Sequence, residues 1–392
     1  MKFLAWTLAL PLIAEAAAIK STTVKACTIK SQRKAWHTLT RDEKLAYIDA
    51  EKCLMKLPAK LGLKGPRTRF DEFQKLHVLA TETVHFVGAF LPFHRYLMHA
   101  HEHILRTDCN YTGAQPYWDE PLDAGNFSSS VVLDPVTGFG GNGTGPKNCI
   151  TDGPFMDYVN AIGPFQQVSD HCIDRKIDEC ASAQAAAKNV DQCMASGNYS
   201  TFWPCLENAP HGAGHGGVGG QMTNLYSSPG DPLFYLHHTY LDKLWWEWQN
   251  LNLSARLTDI SGTNKGILGG FPGFPGFPGN GSFPGFPGNG SFPGLPGNGS
   301  FPGFPGNGTI PGFPGNGTGP GFGGCPGFPG LPFPPQTSSA AGVTSSDFAK
   351  SDGDPGDVTT LGHVLTSFGM LPNATIADVM DTQGGLLCYE YV

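Results

Sequence analysis

The histidines are the residues of this chain whose types and spacing could do chemistry. The stretch DPLFYLHHTYLDKLWWEWQ, 231–249, sets His237 and His238 side by side in an apolar, aromatic run, with Asp242 four residues after the second. A buried imidazole needs a partner, because an unpaired polar group away from water is costly. Leu241, Leu244, Trp245 and Trp248 follow at helical spacing, so the pair stands at the head of a helix and is a metal-site candidate. Upstream, HGAGHGGVGG, 211–220, offers His211 and His215 at i, i+4, which shares one face of a helix. Its glycines cost about 1 kcal/mol each against alanine; metal ligation could compensate, and glycine also lets another group approach the backbone. The competing reading is a glycine-rich loop with incidental histidines. His77, His85 and His94 lie eight and nine residues apart. His77 follows Phe70, Phe73 and Leu76, and His94 sits in FLPFHRYL, 90–97. An apolar wall around a neutral imidazole suits a metal ligand, although three separate core histidines would look the same. His99, His101 and His103 form H-x-H-x-H, but on a helix such positions point apart, so a solvated face is expected. His37, His171 and His363 stand alone and receive no role.

Six imidazoles without a carboxylate or thiolate favour copper or zinc over calcium or magnesium. Zinc hydrolases usually add a carboxylate or leave one water on a single metal. Two groups of three neutral histidines suit two coppers that jointly bind O2.

The rest of the chain must supply the elements that hold these residues. At 392 residues it is long enough for one large domain or two ordinary ones. Residues 1–18 read as a secretory signal peptide, with Lys2 as positive start, an apolar stretch over 3–14 and the small residues Ala16, Ala17 and Ala18 at the cleavage site. The remaining apolar runs are too short or too broken for a membrane span. A net charge of −8 without a basic run argues against nucleic acid as a partner. Ten cysteines without a C-x-x-C pair read as disulfides of a secreted protein. Connectivity is not legible, with Cys27 and Cys388 the pair expected to tie the ends together. Sequons at Asn110, Asn126, Asn142, Asn198, Asn252, Asn280, Asn289, Asn298, Asn307, Asn316 and Asn373 point the same way.

The five sequons from Asn280 to Asn316 recur every nine residues in repeats such as NGSFPGFPG, and no charge occurs from Gly266 to Ser346. Proline and glycine at this density deny regular helix and sheet, and a period of nine does not fit collagen. Residues 269–335 are therefore expected to be a disordered, N-glycosylated Gly/Pro/Phe insertion, with a Phe-based adhesive or wall-binding segment as the alternative. Helical patterns run over 30–57, over 70–106 with a break near Pro92, and over 170–195. After the insertion, Leu361, Val364, Leu365 and Phe368 recur at helical spacing. This gives one domain formed by 19–268 and 336–392.

These motifs resemble the tyrosinase and catechol oxidase family of type-3 copper proteins, nearest to short secreted fungal polyphenol oxidases. The match covers about 30–253 and 361–391 and rests on FLPFHRYL, HGAGH and DPLFYLHHTYLD. The resemblance implies a mainly helical fold, a four-helix bundle around a dinuclear copper site, with disulfide-linked loops and the long insertion. It implies the first copper on His77, His85 and His94, and the second on His211, His215 and His238, the ligand of the adjacent pair being the one four before Asp242. Asp242 is then expected to orient it. The implied activity is copper-dependent oxidation of small phenolic substrates to o-quinones with O2 as co-substrate.

Departures from the family pattern refine this. Many fungal members carry a thioether-linked cysteine where this chain has Thr83, so no crosslink is expected. Where strong monophenol oxidases often carry Asn after the first ligand of the second copper, this chain has Gly212, which favours diphenols. Leu225, thirteen before His238, is expected to narrow the substrate mouth. CYEY, 388–391, resembles the Y-x-Y motif that ends the family's catalytic core. With Val392 as the last residue, the domain that plugs the site in latent relatives is expected to be absent. The expected function is a secreted o-diphenol oxidase with weak or no monophenol hydroxylation. The alternatives are a true tyrosinase, an O2-binding protein like the hemocyanins, and a wall protein built around the repeat.

Overall fold

The computed structural model describes residues 27–266 and 353–392; the signal peptide read at 1–18 and the insertion read at 269–335 lie outside the described residues. Threonines set the first helix starts. Thr40 with Glu43 closes a capping box ahead of α1 (Arg41–Leu54), and Thr68 with Asp71 closes another ahead of α2 (Arg69–Val84). α3 (Phe90–Cys109) ends at Asn110 in the left-handed conformation, φ 56°. The break in the long pattern thus falls at 85–89 rather than near Pro92. Pro92 lies in the first turn of α3, where a missing N–H leaves no helical bond unmade.

A hairpin of β2 (Val159–Ile162) and β3 (Val168–Cys172) leads into α4 (Glu179–Ser182), α5 (Ala187–Met194) and α6 (Tyr199–Leu206). Pro204 and Pro210 each remove a backbone donor, and between α6 and α7 (Gly212–Val218) the chain widens into a π turn over Glu207–His211. α8 (Leu233–Asn250) is buried along most of its length and is followed by α9 (Leu253–Arg256). Towards the C-terminus, β4 (Val364–Leu365) pairs antiparallel with β5 (Ala374–Thr375), and α10 (Ile376–Val379) follows. β6 (Tyr389–Tyr391) pairs in parallel with β1 (Ser31–Arg33). The helix expected through Leu361 to Phe368 does not form. Phe368 and Gly369 take positive φ, 50° and 93°, which a right-handed helix cannot accommodate, and Val364 and Leu365 pair as strand instead.

Disulfides staple this helical body. Cys27–Cys388 joins the ends beside β1 and β6, as expected, while Cys53–Cys109 ties α1 to α3 and Cys193–Cys205 ties α5 to α6. Cys149–Cys172 pins β3, and Cys180 is disulfide-bonded as well. The two sides of the undescribed stretch 267–352 meet: Thr359 N–H donates to Gly262 O at 2.8 Å and Asn264 N–H to Asp357 O at 3.2 Å. Gly88, in the turn between α2 and α3, donates to Thr263 O at 2.9 Å, and a Cβ there would come within 2.1 Å of Ser261 O. Among the described residues no helix is long and apolar enough to cross a membrane.

The core closes around Asp242 on α8. Its carboxylate accepts from Arg95 of α3, from Arg33 of β1 at 3.2 Å, and from the hydroxyls of Tyr389, at 2.5 Å, and Tyr391. Arg33 also donates to Glu102 at 2.8 and 3.0 Å. Burial pushes the Asp242 carboxyl up, but Arg95, Arg33 and the two tyrosines outweigh it and hold the group below the usual carboxylate range. Removing one member leaves the others charged and dry. Asp242→Ala is expected to cost about 3–5 kcal/mol, measured as a fall in the denaturant midpoint at neutral pH. A loss below about 1 kcal/mol would show that the cluster does not bind the ends to the core.

Candidate metal centre

Three histidines gather from α2, the turn after it and α3. His77 Nδ1 faces Tyr226 O at 2.7 Å, His85 Nδ1 faces Thr81 O at 3.0 Å, and His94 Nδ1 faces Phe90 O at 2.8 Å. The Thr81 carbonyl is one of the last four of α2, which have no partner within the helix, so the His85 ring fills an opening that the helix end creates. The second group comes from the π turn, α7 and α8. His211 Nδ1 faces Glu207 O at 2.9 Å and His215 Nδ1 faces Met222 O at 2.5 Å, whereas His238 Nδ1 has no hydrogen-bond partner. All six rings are at most 5% exposed.

A carbonyl can only accept, so each of the five paired Nδ1 atoms donates, and a neutral ring then presents a bare lone pair at Nε2. Burial drives all six pKa values down, and in all but His85 the neighbouring imidazoles add to it. His85 falls to about 4 and the others well below the usual value. The rings are therefore neutral at pH 7. His77 and His94 turn their Nε2 atoms on each other at 3.5 Å, lone pair against lone pair, and the buried Nε2 of His211 has no partner. His215 Nε2 and His238 Nε2 stand 3.2 Å apart. Two nitrogens each about 2 Å from one ion lie roughly 3–3.5 Å apart, and a cation in each group would satisfy the facing lone pairs. The donor set of neutral imidazoles suits copper.

The two groups touch. His94 and His238 stack at 4.2 Å and 14°. Phe90 lies 4.7 Å from His94 and 4.8 Å from His211, while Phe234 lies 4.1 Å from His238 and 5.2 Å from His77. Each phenylalanine stands four residues before a histidine, His94 or His238, and contacts the other group, so water is excluded from both sides. A cavity reaches the centre past His85, His211 and His215, lined further by Met222, Thr223, Leu225 and Ser228. Gly212 adjoins His211, and a Cβ on it would meet nothing within 4 Å. Thr83 is turned outward, its hydroxyl on Ala80 O at 3.0 Å.

Several expectations change. Asp242 does not orient His238: its oxygens are engaged by Arg33, Arg95, Tyr389 and Tyr391, one helical turn beyond the ring. His101 is not on a solvated face. It is fully buried, stacked on Tyr235 at 3.7 Å and bonded to Gln115 at 2.9 Å. His99 is half-buried and only His103 is exposed, because α3 has neighbours on more than one side. His37, His171 and His363 have local partners in Asp123, the Ile162 and Cys172 carbonyls, and Asp354.

Two buried acidic residues near the centre, Glu207 and Glu120, are not singled out by the sequence motifs. Glu207 is 3% exposed; its Oε1 accepts from Phe86 N–H at 2.8 Å, its Oε2 has no partner, and burial pushes its carboxyl well up. Glu120 meets His237 at 2.5 Å, 117 residues away in sequence. No spacing signal links the two. The i, i−4 positions of Phe90, Phe234 and Glu207 were visible signals.

The common central domain of tyrosinase matches residues 67–251. Tyrosinase-like protein phomQ1 of Diaporthe leptostromiformis is 33% identical over 262 residues, covering 61% of this chain and 67% of its own. Tyrosinase ustQ of Aspergillus flavus is 32% identical over 255 residues, covering 62% and 70%. Tyrosinase-like protein orsC of Emericella nidulans is 30% identical over 285 residues, covering 59% and 77%. A mutant polyphenol oxidase from Thermothelomyces thermophila shares the fold, with a TM-score of 0.64 at 23% identity over 93% of this chain and 89% of that one.

The depressed histidine pKa values have a measurable consequence for copper-free protein. An unfolded histidine takes its proton near pH 6.5, whereas His85 in the fold resists until about 4. As pH falls through this window the unfolded chain binds more protons than the native one, so stability is lost. His85 alone is expected to remove roughly 3 kcal/mol between pH 6.5 and 4. Denaturant melts of copper-free protein across that range check this, and a midpoint that does not move would contradict neutral burial.

Proposed function

The chain belongs to the tyrosinase family, and we propose that it is a secreted dicopper polyphenol oxidase that converts o-diphenols (catechols) to o-quinones and takes o-methoxyphenols as a further class of phenolic substrate, with weak or no monophenol hydroxylation. Membership makes it a copper-dependent oxidoreductase. In this reading His77, His85 and His94 hold the first copper and His211, His215 and His238 the second. The helices α2, α3, α7 and α8 that carry most of these residues are read as the bundle around the metals, and 19–268 with 336–392 as one catalytic domain. The pairing of 262–264 with 357–359 supports that domain reading. A signal-peptide pattern and a disulfide-stapled body support secretion.

Bound copper supplies the binding and reduction of dioxygen, one O2 taking the four electrons of two catechols to give two waters and two quinones. The residues of the chain set the conditions for that chemistry. Backbone carbonyls hold five rings with Nε2 inward, Phe90 and Phe234 keep water away, and Leu225 with Thr223 lines the approach of the phenol ring.

The observation that carries the preference for diphenols is the open space at Gly212. A monophenol must lose its proton before it can be hydroxylated, and a positioned base is the usual means. Glu207 is a buried carboxyl whose pKa is pushed up, which favours its neutral form, and position 212 offers no side chain to hold a water beside it. A true tyrosinase remains the second reading because Glu207 has one unpartnered oxygen.

Initial rates with tyramine and catechol separate the two. The unaltered protein is expected to oxidise catechol far faster. Gly212→Asn is expected to raise the tyramine-to-catechol ratio about 10-fold or more, in the range a positioned base contributes. Comparable rates on both substrates in the unaltered protein would establish the tyrosinase reading instead. Metal analysis is expected to give two coppers per chain, and fewer than two in His94→Ala and in His238→Ala.

A further inference from the structure

One buried pair beside the second histidine group takes no part in the chemistry above. His237 Nδ1 and Glu120 Oε1 lie 2.5 Å apart, both side chains sealed from solvent at 0% exposure. Glu120 belongs to a loop that is fastened to α8 by the Trp118 N–H, which donates to Leu236 O at 3.2 Å. The His237 ring stands 4.7 Å from that of His215. It lies nearly parallel to that of His211, at 5.6 Å and 24°.

The pair presses on the backbone of α7. A Cβ at Gly214 would come 2.2 Å from His237 Nδ1 and 2.8 Å from Glu120 Oε1. Gly214 stands between His211 and His215, so the contact falls on the backbone that carries both. Neighbouring helices normally set their separation through side chains at the contact, 8–10 Å axis to axis. α7 reads GAGHGGV. Apart from His215 it offers only a methyl and a valine, too little to fix its own distance from α8.

We propose that Glu120 and His237 are positioning residues for the second copper. The pair is the spacer between α7 and α8, and it sets where His211 and His215 stand relative to His238. The first group sits on α2, α3 and the turn between them, which carry no residue of the pair. Disturbing the spacer therefore loosens one copper and not the other. This rests on reading His211, His215 and His238 as the second copper's ligands. Two coppers in the unaltered chain and fewer in His238→Ala test that reading separately.

The experiment is copper titration of full-length Gly214→Ala, Glu120→Leu and Glu120→Gln, with copper counted per chain and the Cu(II) electron paramagnetic resonance spectrum recorded. An isolated Cu(II) gives a signal, whereas a coupled pair gives none. Gly214→Ala and Glu120→Leu are expected to keep one tight copper, bind the second about 10- to 100-fold more weakly, and show the isolated signal. Glu120→Gln keeps a group that can accept from or donate to the same Nδ1, and is expected to retain both coppers and a silent spectrum. Two coppers at unaltered affinity in both Gly214→Ala and Glu120→Leu would overturn the proposal. So would loss of both coppers together in those variants, or a Glu120→Gln variant that behaves like Glu120→Leu.

Discussion

Much of this structure answers to one constraint: neutral imidazoles must sit in a dry core with their Nε2 lone pairs turned towards one another. Each ring would cost free energy there if left unpaired, so five of them give Nδ1–H to a backbone carbonyl. One of these carbonyls, Phe90 O, belongs to the first turn of α3, and the other four come from helix ends and irregular backbone. The end of α2 supplies Thr81, the π turn supplies Glu207, and the irregular stretch between α7 and α8 supplies Met222 and Tyr226. Four of the five carbonyls thus lie where the helices end or loosen, while α3 serves His94 from within its own first turn.

Around this sits a second layer of buried charge with a different task. Asp242 gathers two arginines and two tyrosines from strands at opposite ends of the chain and from α3. Pairs of this kind rarely add net stability over apolar packing, but they are unforgiving of a wrong arrangement. Here the arrangement fixes β1 and β6 against the two helices that carry His94 and His238. The ends of the described chain and its centre are joined through one carboxylate.

The sequence made the histidine groups legible because each falls in a short motif with helical spacing, and it made α2, α3 and α8 legible because their apolar stripes are long. It misled where local pattern competed with backbone geometry. Leu361 to Phe368 carry a helical stripe, but Phe368 and Gly369 require left-handed conformations. The H-x-H-x-H spacing predicts a solvated face for His101, whereas Tyr235 and Gln115 enclose that side of α3. The expectation that Asp242 orients His238 looks to a residue four positions away, whereas its partners Arg33, Arg95, Tyr389 and Tyr391 are distant in sequence. Glu120 and His237 meet across 117 residues, a contact that no periodicity encodes. The spacing of glycines in HGAGH did hint that something approaches closely at Gly214.

The stem formed by 262–264 and 357–359 also fixes where the two sides of the undescribed stretch sit. They are joined by a single bridge, Thr263 with Val358, and Gly88 holds them to the turn that follows His85. Whatever length of chain lies between the two sides, this pairing holds both of them beside the turn that separates His85 from α3.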